Sequence, residues 1–239
     1  KNLDVPGMNG PVSVVFVNNR AMPKPEFRDY VLKMTGLSGV ASKEQMFGKE
    51  PFKSMKDKFT IYYIDEASMP IGARAGTPLI NMAQQYAAKS CPAARHVVIV
   101  SSDPSSVGSA ATADGKVFLE KRHVDLSLNT LSHEYAHACC ALADEYVVFD
   151  KSHTFAEFKR LTRGLYLNCA FDAADALSKS WPQSLISHAQ SGKWQGCGGT
   201  CPVGCESWLK PSKESIMSKS TLYDDFNAFS AQIMRERLK

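Results

Sequence analysis

Three short runs of the sequence are apolar at almost every position, and they constrain the fold more than any other feature. They cover residues 12–17, 58–64 and 96–100. Each run has strand length and reads as buried, which is typical of strands inside a sheet that other elements cover. Segments with helical spacing lie between them, at residues 25–34 and at 77–89, where Thr77 is the predicted N-cap. This alternation predicts an α/β fold with a largely parallel sheet.

The remainder of the chain is predicted to be mainly helical. Residues 101–115 are rich in Ser, Gly, Ala and Asp and are typical of a loop, and residues 115–120 are predicted to form a short edge strand. Residues 125–143 have a helical pattern with few breakers. Further helices are predicted at residues 154–167, 172–178 and 224–238.

Composition and charge exclude several functional classes. A hydrophobic fraction of 44% over 239 residues is enough to bury one sizeable core, so we expect a single domain. The net charge of +4 is spread along the chain without a basic run, which argues against nucleic acid as a partner. No apolar stretch is long enough to span a membrane. The sequence shows no signal peptide and starts at Lys1 and not at Met, which leaves the presence of an upstream signal or pro-segment open.

The seven cysteines indicate the compartment of the protein. Three of them, Cys197, Cys201 and Cys205, lie in a Gly-rich stretch that cannot form a core of its own. Disulfide bonds made in an oxidising compartment would stabilise such a segment, so we expect at least two disulfides and a secreted or cell-surface protein. The alternative is a structural metal knuckle, which needs a fourth ligand, and no Cys or His follows Cys205.

One pentapeptide carries a metal-binding pattern, because residues 133–137 read His-Glu-Tyr-Ala-His. Histidines four residues apart project from the same helix face, so His133 and His137 can bind one ion. Glu134 lies about 100° round the helix from His133, where it can take a proton from a metal-bound water. Zinc lowers the pKa of such a water to about 7. The pattern predicts a zinc site with Glu134 as the catalytic base.

A zinc site of this kind needs a third protein ligand, and the sequence offers three carboxylates. Asp144 and Glu145 directly follow the predicted helix, and either one reaches the ion if the chain turns back there. Glu157 lies twenty residues beyond His137 on the next predicted helix, which is the spacing of thermolysin-like enzymes. Spacing alone leaves all three open.

The residues around the motif resemble a known family. Residues 133–146, which end in Leu-Ala-Asp-Glu-Tyr, are similar to the signature of the immunoglobulin-A peptidase family of zinc metallopeptidases. Residues 211–217, Pro-Ser-Lys-Glu-Ser-Ile-Met, resemble that family's Pro-Ser-x-x-Ser-Ile-Met stretch. The resemblance implies a metzincin-like, two-lobed catalytic domain. An upper α/β lobe would span residues 1–143 and include the zinc helix, and a lower, disulfide-stapled helical lobe would span residues 144–239.

The resemblance also implies roles for individual residues. It favours Asp144 as the third zinc ligand over the other two carboxylates. Tyr146 and Tyr223 are implied as donors to the oxyanion of the tetrahedral intermediate, and the alternative for both is packing in the core. Met217 would form a hydrophobic floor beneath the zinc and take no part in the chemistry.

The sequence departs from the family pattern at two places on the predicted zinc helix. Ala136 stands where the family usually has Gly, and Cys139 and Cys140 replace small residues where metzincin helices end and turn. We therefore expect the helix to run slightly longer, which would put Cys140 on the face of the two histidines. A disulfide or a packed core cysteine is the expectation there, in preference to a thiolate ligand.

These observations predict a zinc-dependent endopeptidase with one Zn²⁺ per chain and a protein or peptide as its substrate. Water on the zinc would attack the peptide carbonyl, and Glu134 would pass the proton to the leaving amine. One alternative is a cell-surface binding module that keeps a peptidase fold and turns over no peptide. The intact motif argues against it, because such a module has no need of Glu134. A second alternative is a soluble α/β domain in which the motif is a chance match.

Overall fold

The computed structural model describes residues 1–65, 85–86, 88–102, 109–112 and 115–239. Over these residues the chain is mixed α/β with a mostly parallel sheet and several helices. Two compact units are formed, one by Lys1–Cys140 together with Met234–Lys239, and the other by Ala141–Ile233. The division into an upper and a lower catalytic lobe stays a prediction.

The first unit contains a five-stranded sheet in the part of the chain that is described. Its strands are β1 Val12–Asn19, β2 Phe59–Ile64, β3 His96–Ser101, β4 Ala110–Thr112 and β5 Lys116–Glu120, in the order β2-β1-β3-β5-β4. β1 pairs in parallel with β2 and β3, and β3 pairs in parallel with β5. The three apolar runs are thus three neighbouring strands, and every residue of β1 and β3 is buried. The predicted parallel sheet is confirmed.

The strand predicted at residues 115–120 is confirmed as β5, but the prediction that it lies at the edge of the sheet is wrong. β5 has a neighbour on each side, because β4 pairs with it in antiparallel register, with Ala110 opposite Phe118. β4 lies within the segment predicted as a loop. Three small residues are too short to show an alternating pattern, so the composition of the surrounding residues concealed the strand.

The first helix, α1 Lys24–Thr35, confirms the helix predicted at residues 25–34. It has a proline in its first turn, where the missing N–H costs nothing, and it ends at Gly36 in the left-handed conformation with φ 80°. Phe27, Val31 and Met34 form its buried face. Residues 77–84 and 87 of the second predicted helix lie outside the described residues, and residues 85–86 and 88–90 are helical.

The single helix predicted at residues 125–143 is wrong, because two helices occupy this region. They are α2 Lys121–Leu126 and α3 Asn129–Cys140, and the extended residue Ser127 ends the first of them. α3 carries the His-Glu-Tyr-Ala-His pentapeptide. It does not run beyond Cys140, because Ala141 adopts a left-handed conformation with φ 52° and turns the chain. The expected extension of the zinc helix is therefore also wrong.

The second unit joins short helices to a small parallel pair of strands. The strands are β6 Val147–Phe149 and β7 Gly199–Cys201, and the helices are α4 Phe155–Thr162, α5 Ala173–Ser178, α6 Gln183–His188 and the start of α7 Ala228–Arg237. Helices α4, α5 and α7 lie within the three predicted segments and are shorter than predicted. The strand pair and α6 were not predicted. Trp208 is buried in a cluster that also holds Cys169, Cys197, Cys201 and Cys205.

Two pairs of cysteines lie at disulfide distance, Cys139 with Cys140 and Cys169 with Cys197. The prediction of at least two pairs, with a cysteine of the Gly-rich stretch among them, is confirmed at the level of distance. Cys91, Cys201 and Cys205 are buried thiols. Among the residues that the structure describes, none of the helices combines the length and the apolar character needed to cross a membrane.

Candidate metal centre

Helix α3 brings two imidazole nitrogens together. The Nε2 atoms of His133 and His137 are 3.2 Å apart, and the two rings are perpendicular to each other. A tetrahedral ion that binds two imidazoles at about 2.0–2.1 Å holds their nitrogens about 3.3 Å apart. The observed spacing therefore fits a shared ion. An N–H···N hydrogen bond between the rings, in which one Nε2 donates its proton and the other accepts it, also gives this distance.

Tyr135, between the two histidines in sequence, fixes α3 against the sheet. Its side chain is fully buried and packs edge-on against Phe52, while its hydroxyl meets Nδ1 of His96 on β3. Burial lowers the pKa of His96 to about 4 and raises the pKa of Tyr135, so both groups are neutral at pH 7. Residues two apart on a helix lie on different faces, so Tyr135 faces the core while His133 and His137 lie on another side of α3.

Asp144 completes a group of three potential ligands. After the turn at Ala141 the chain passes through two buried residues to Asp144, and ligand atoms of His133, His137 and Asp144 all lie within 4.8 Å of one another. His133 is buried and the other two are half-buried. This group could hold a metal ion. Two imidazoles and one carboxylate suit zinc and also other first-row transition metals, so the ligand set leaves the identity of the metal open.

The Gly-rich cysteine stretch leaves room for the Asp144 carboxylate. The N–H of Gly198 donates to the backbone carbonyl of Asp144 at 2.8 Å. Gly199 has φ 65°, and a Cβ placed on it would lie 2.7 Å from Oδ2 of Asp144. Glycine is needed at this position for both reasons, since a side chain disfavours the left-handed conformation and would displace the carboxylate.

The other two candidate ligands are engaged elsewhere. Glu145 is fully buried and accepts hydrogen bonds from Asn168 and Asn227. Burial raises the pKa of Glu145 to about 7, against the opposing effect of these hydrogen bonds. Glu157 is exposed and forms a capping box with Thr154 at the start of α4, and the hydrogen bonds from Thr154 lower its pKa. Of the three carboxylates left open by spacing, the structure brings only Asp144 into the group with the histidines.

The other predicted site residues lie outside the group of three potential ligands. Glu134 is buried on α3 and is not a member of the three-residue group. Tyr146 is exposed, directly before β6, and Tyr223 is half-buried, with its N–H donating to the carbonyl of Lys219. Met217 is fully buried. The roles assigned to Glu134, to the two tyrosines and to the methionine stay predictions.

Two residues beside Asp144 were missed by sequence reasoning. Asn168 contacts the backbone of residue 143, and Gly199 contacts the Asp144 side chain. The glycine-rich composition of residues 196–204 is the signal for the positive φ angle at Gly199. Asn168 is an isolated asparagine between two predicted helices, and such a residue carries no comparable signal.

No family model matches this chain, and a search of curated proteins finds no match either. The resemblance to the immunoglobulin-A peptidase family therefore rests on the two sequence segments alone and stays a prediction.

Proposed function

We propose that this protein is a zinc-dependent endopeptidase with a metzincin-like catalytic domain. The observation that carries the proposal is the grouping of one ring nitrogen from each of the two histidines on α3 with the carboxylate of Asp144. A site with three protein ligands leaves a fourth position open for water or substrate, which is the arrangement of catalytic zinc sites.

The immediate surroundings of the ligands support the metzincin-like interpretation. The helix that carries the histidines ends after Cys140, the chain turns at Ala141, and Asp144 follows. The N–H of Glu145, the next residue, donates to the carbonyl of buried Met217 at 2.9 Å. The Pro-Ser-x-x-Ser-Ile-Met stretch is thus bound directly to the ligand segment, as the proposal requires of a Met-turn.

Each residue has a distinct chemical task in the proposed reaction. The two histidines must be neutral at the nitrogens that face the ion, and Asp144 must be ionised. A zinc ion held there would supply Lewis acidity and lower the pKa of water to about 7. Glu134 is the proposed base, which accepts a proton from the water that attacks the peptide carbonyl and then gives this proton to the leaving amine. Two cysteine pairs at disulfide distance are compatible with a secreted or cell-surface location.

Glu134→Gln tests this proposal, because Gln keeps the shape of Glu and cannot accept the proton. The variant should keep its zinc and lose cleavage of a broad peptide mixture by about 100-fold or more. Glu157→Gln is the matched control, since Glu157 is an exposed carboxylate that caps α4, and it should retain both zinc and activity. Full activity of Glu134→Gln would contradict the mechanism. Wild-type protein that binds zinc and cleaves nothing would favour the binding module.

A further inference from the structure

The residue after the proposed ligand Asp144 is hydrogen-bonded to four residues from three separate segments of the second unit. One oxygen of buried Glu145, Oε1, accepts hydrogen bonds from Asn227 Nδ2 at 2.8 Å, from Asn168 Nδ2 at 3.1 Å and from Ser230 Oγ at 3.3 Å. The backbone of Glu145 is held as well, because its carbonyl accepts from Lys210 Nζ at 2.6 Å. Burying a carboxylate costs folding free energy unless it is hydrogen-bonded, so these donors stabilise Glu145 in one defined position.

Asn168 binds the residue on the other side of the ligand. Its Oδ1 accepts from the N–H of Ala143 at 2.7 Å, and its Nδ2 donates to the carbonyl of Ala143 at 2.9 Å. The same Nδ2 also reaches Glu145. One amide side chain therefore binds both neighbours of Asp144, a residue that lies outside any helix or strand and whose carbonyl accepts from the N–H of Gly198.

We propose that Asn168 and Glu145 are positioning residues for the third metal ligand, which hold residues 143–145 so that the Asp144 carboxylate lies within the group formed with His133 and His137. This inference rests on the proposed zinc site. A ligand on an irregular segment needs such support, because a functional group has to stay within about 0.5 Å of its productive position. Supporting hydrogen bonds of this kind typically change metal affinity 10–100-fold when they are removed.

The experiment measures the zinc dissociation constant by competition with a chromogenic chelator, and the unfolding midpoint in urea, for four purified proteins. Asn168→Ala removes the bonds to Ala143 and Glu145, and it should weaken zinc binding about 10–100-fold. Glu145→Gln is the conservative variant, because its amide oxygen can still accept from Asn168, Asn227 and Ser230. It should bind zinc within about threefold of wild type. Trp181→Phe is the matched control, because it removes a part-buried hydrogen bond to the carbonyl of Leu167 in the same unit. It should lower stability and leave the zinc affinity unchanged.

The outcomes separate the inference from the proposed function. Wild-type protein that binds no zinc overturns both. Wild-type protein that binds zinc, with folded Asn168→Ala binding it equally well, overturns only the positioning role. Equal losses of affinity in Asn168→Ala and Trp181→Phe would also overturn it, because affinity would then follow stability. If Asn168→Ala does not fold, Lys210→Met decides, since it removes only the bond to the Glu145 carbonyl and should weaken zinc binding several-fold.

Discussion

Replacing Gly199 by alanine should displace the Asp144 carboxylate without removing it. The new Cβ would lie 2.7 Å from Oδ2 of Asp144, whereas ordinary van der Waals contact begins at 3.4 Å. The carboxylate oxygen would thus have to move by about 0.7 Å, which exceeds the tolerance of about 0.5 Å for a functional group. We expect zinc affinity to fall about 10–100-fold, which corresponds to about 1.4–2.7 kcal/mol.

The chain offers a matched control for the backbone strain. Gly199 and Gly164 have similar left-handed conformations, with φ 65° and 73°, but nothing lies within 4 Å of a Cβ placed on Gly164. Alanine at either position should cost about 1–2 kcal/mol of unfolding free energy from the conformation alone. Only Gly199→Ala should also affect the metal.

Zinc titration and urea denaturation of the two variants and the wild type provide the assay. Zinc affinity of Gly199→Ala equal to that of Gly164→Ala would refute the argument, because it would show that Asp144 either tolerates the displacement or does not bind the metal.

Three further predictions concern stability. The wild type should lose up to about 3 kcal/mol of unfolding free energy as the pH falls from 6.5 to 4, because burial lowers the pKa of His96 to about 4. The difference in unfolding free energy between wild type and His96→Gln should therefore narrow over this range. A difference in urea denaturation that stays constant with pH would contradict this. Cys169→Ala should lower the unfolding free energy by about 3–4 kcal/mol in non-reducing buffer, from a separation of 28 residues, and should change little under reducing conditions. Ala141→Gly should raise the thermal midpoint by relieving about 1 kcal/mol of left-handed strain, and a lower midpoint would argue against the turn after α3.

The sequence predicted the sheet and the two histidines well because both depend on local patterns. Apolar runs at residues 12–17 and 96–100 have to be buried on both faces, and a parallel sheet provides this. Histidines four apart share a helix face whatever surrounds the helix, so the motif predicts that their rings can meet, and their Nε2 atoms are 3.2 Å apart.

The position of Asp144 could not be derived in the same way. It depends on where α3 ends, and the left-handed conformation of Ala141 is one that a sequence does not suggest for alanine. The competing carboxylate Glu145 is excluded by hydrogen bonds from Asn168 and Asn227, which are 23 and 82 residues away along the chain. Such long-range contacts leave no periodic trace in the sequence.

The most direct test of the zinc site is X-ray absorption at the zinc edge on the metal-loaded protein. We predict one zinc per chain, with two imidazole nitrogens at about 2.0–2.1 Å and with oxygen ligands at about 2.0–2.2 Å from Asp144 and solvent. The spectrum of Asp144→Ala should lose the carboxylate contribution and keep the imidazoles. A sulfur shell at about 2.3 Å would place the metal on cysteines instead, and protein that takes up no zinc would contradict the account altogether.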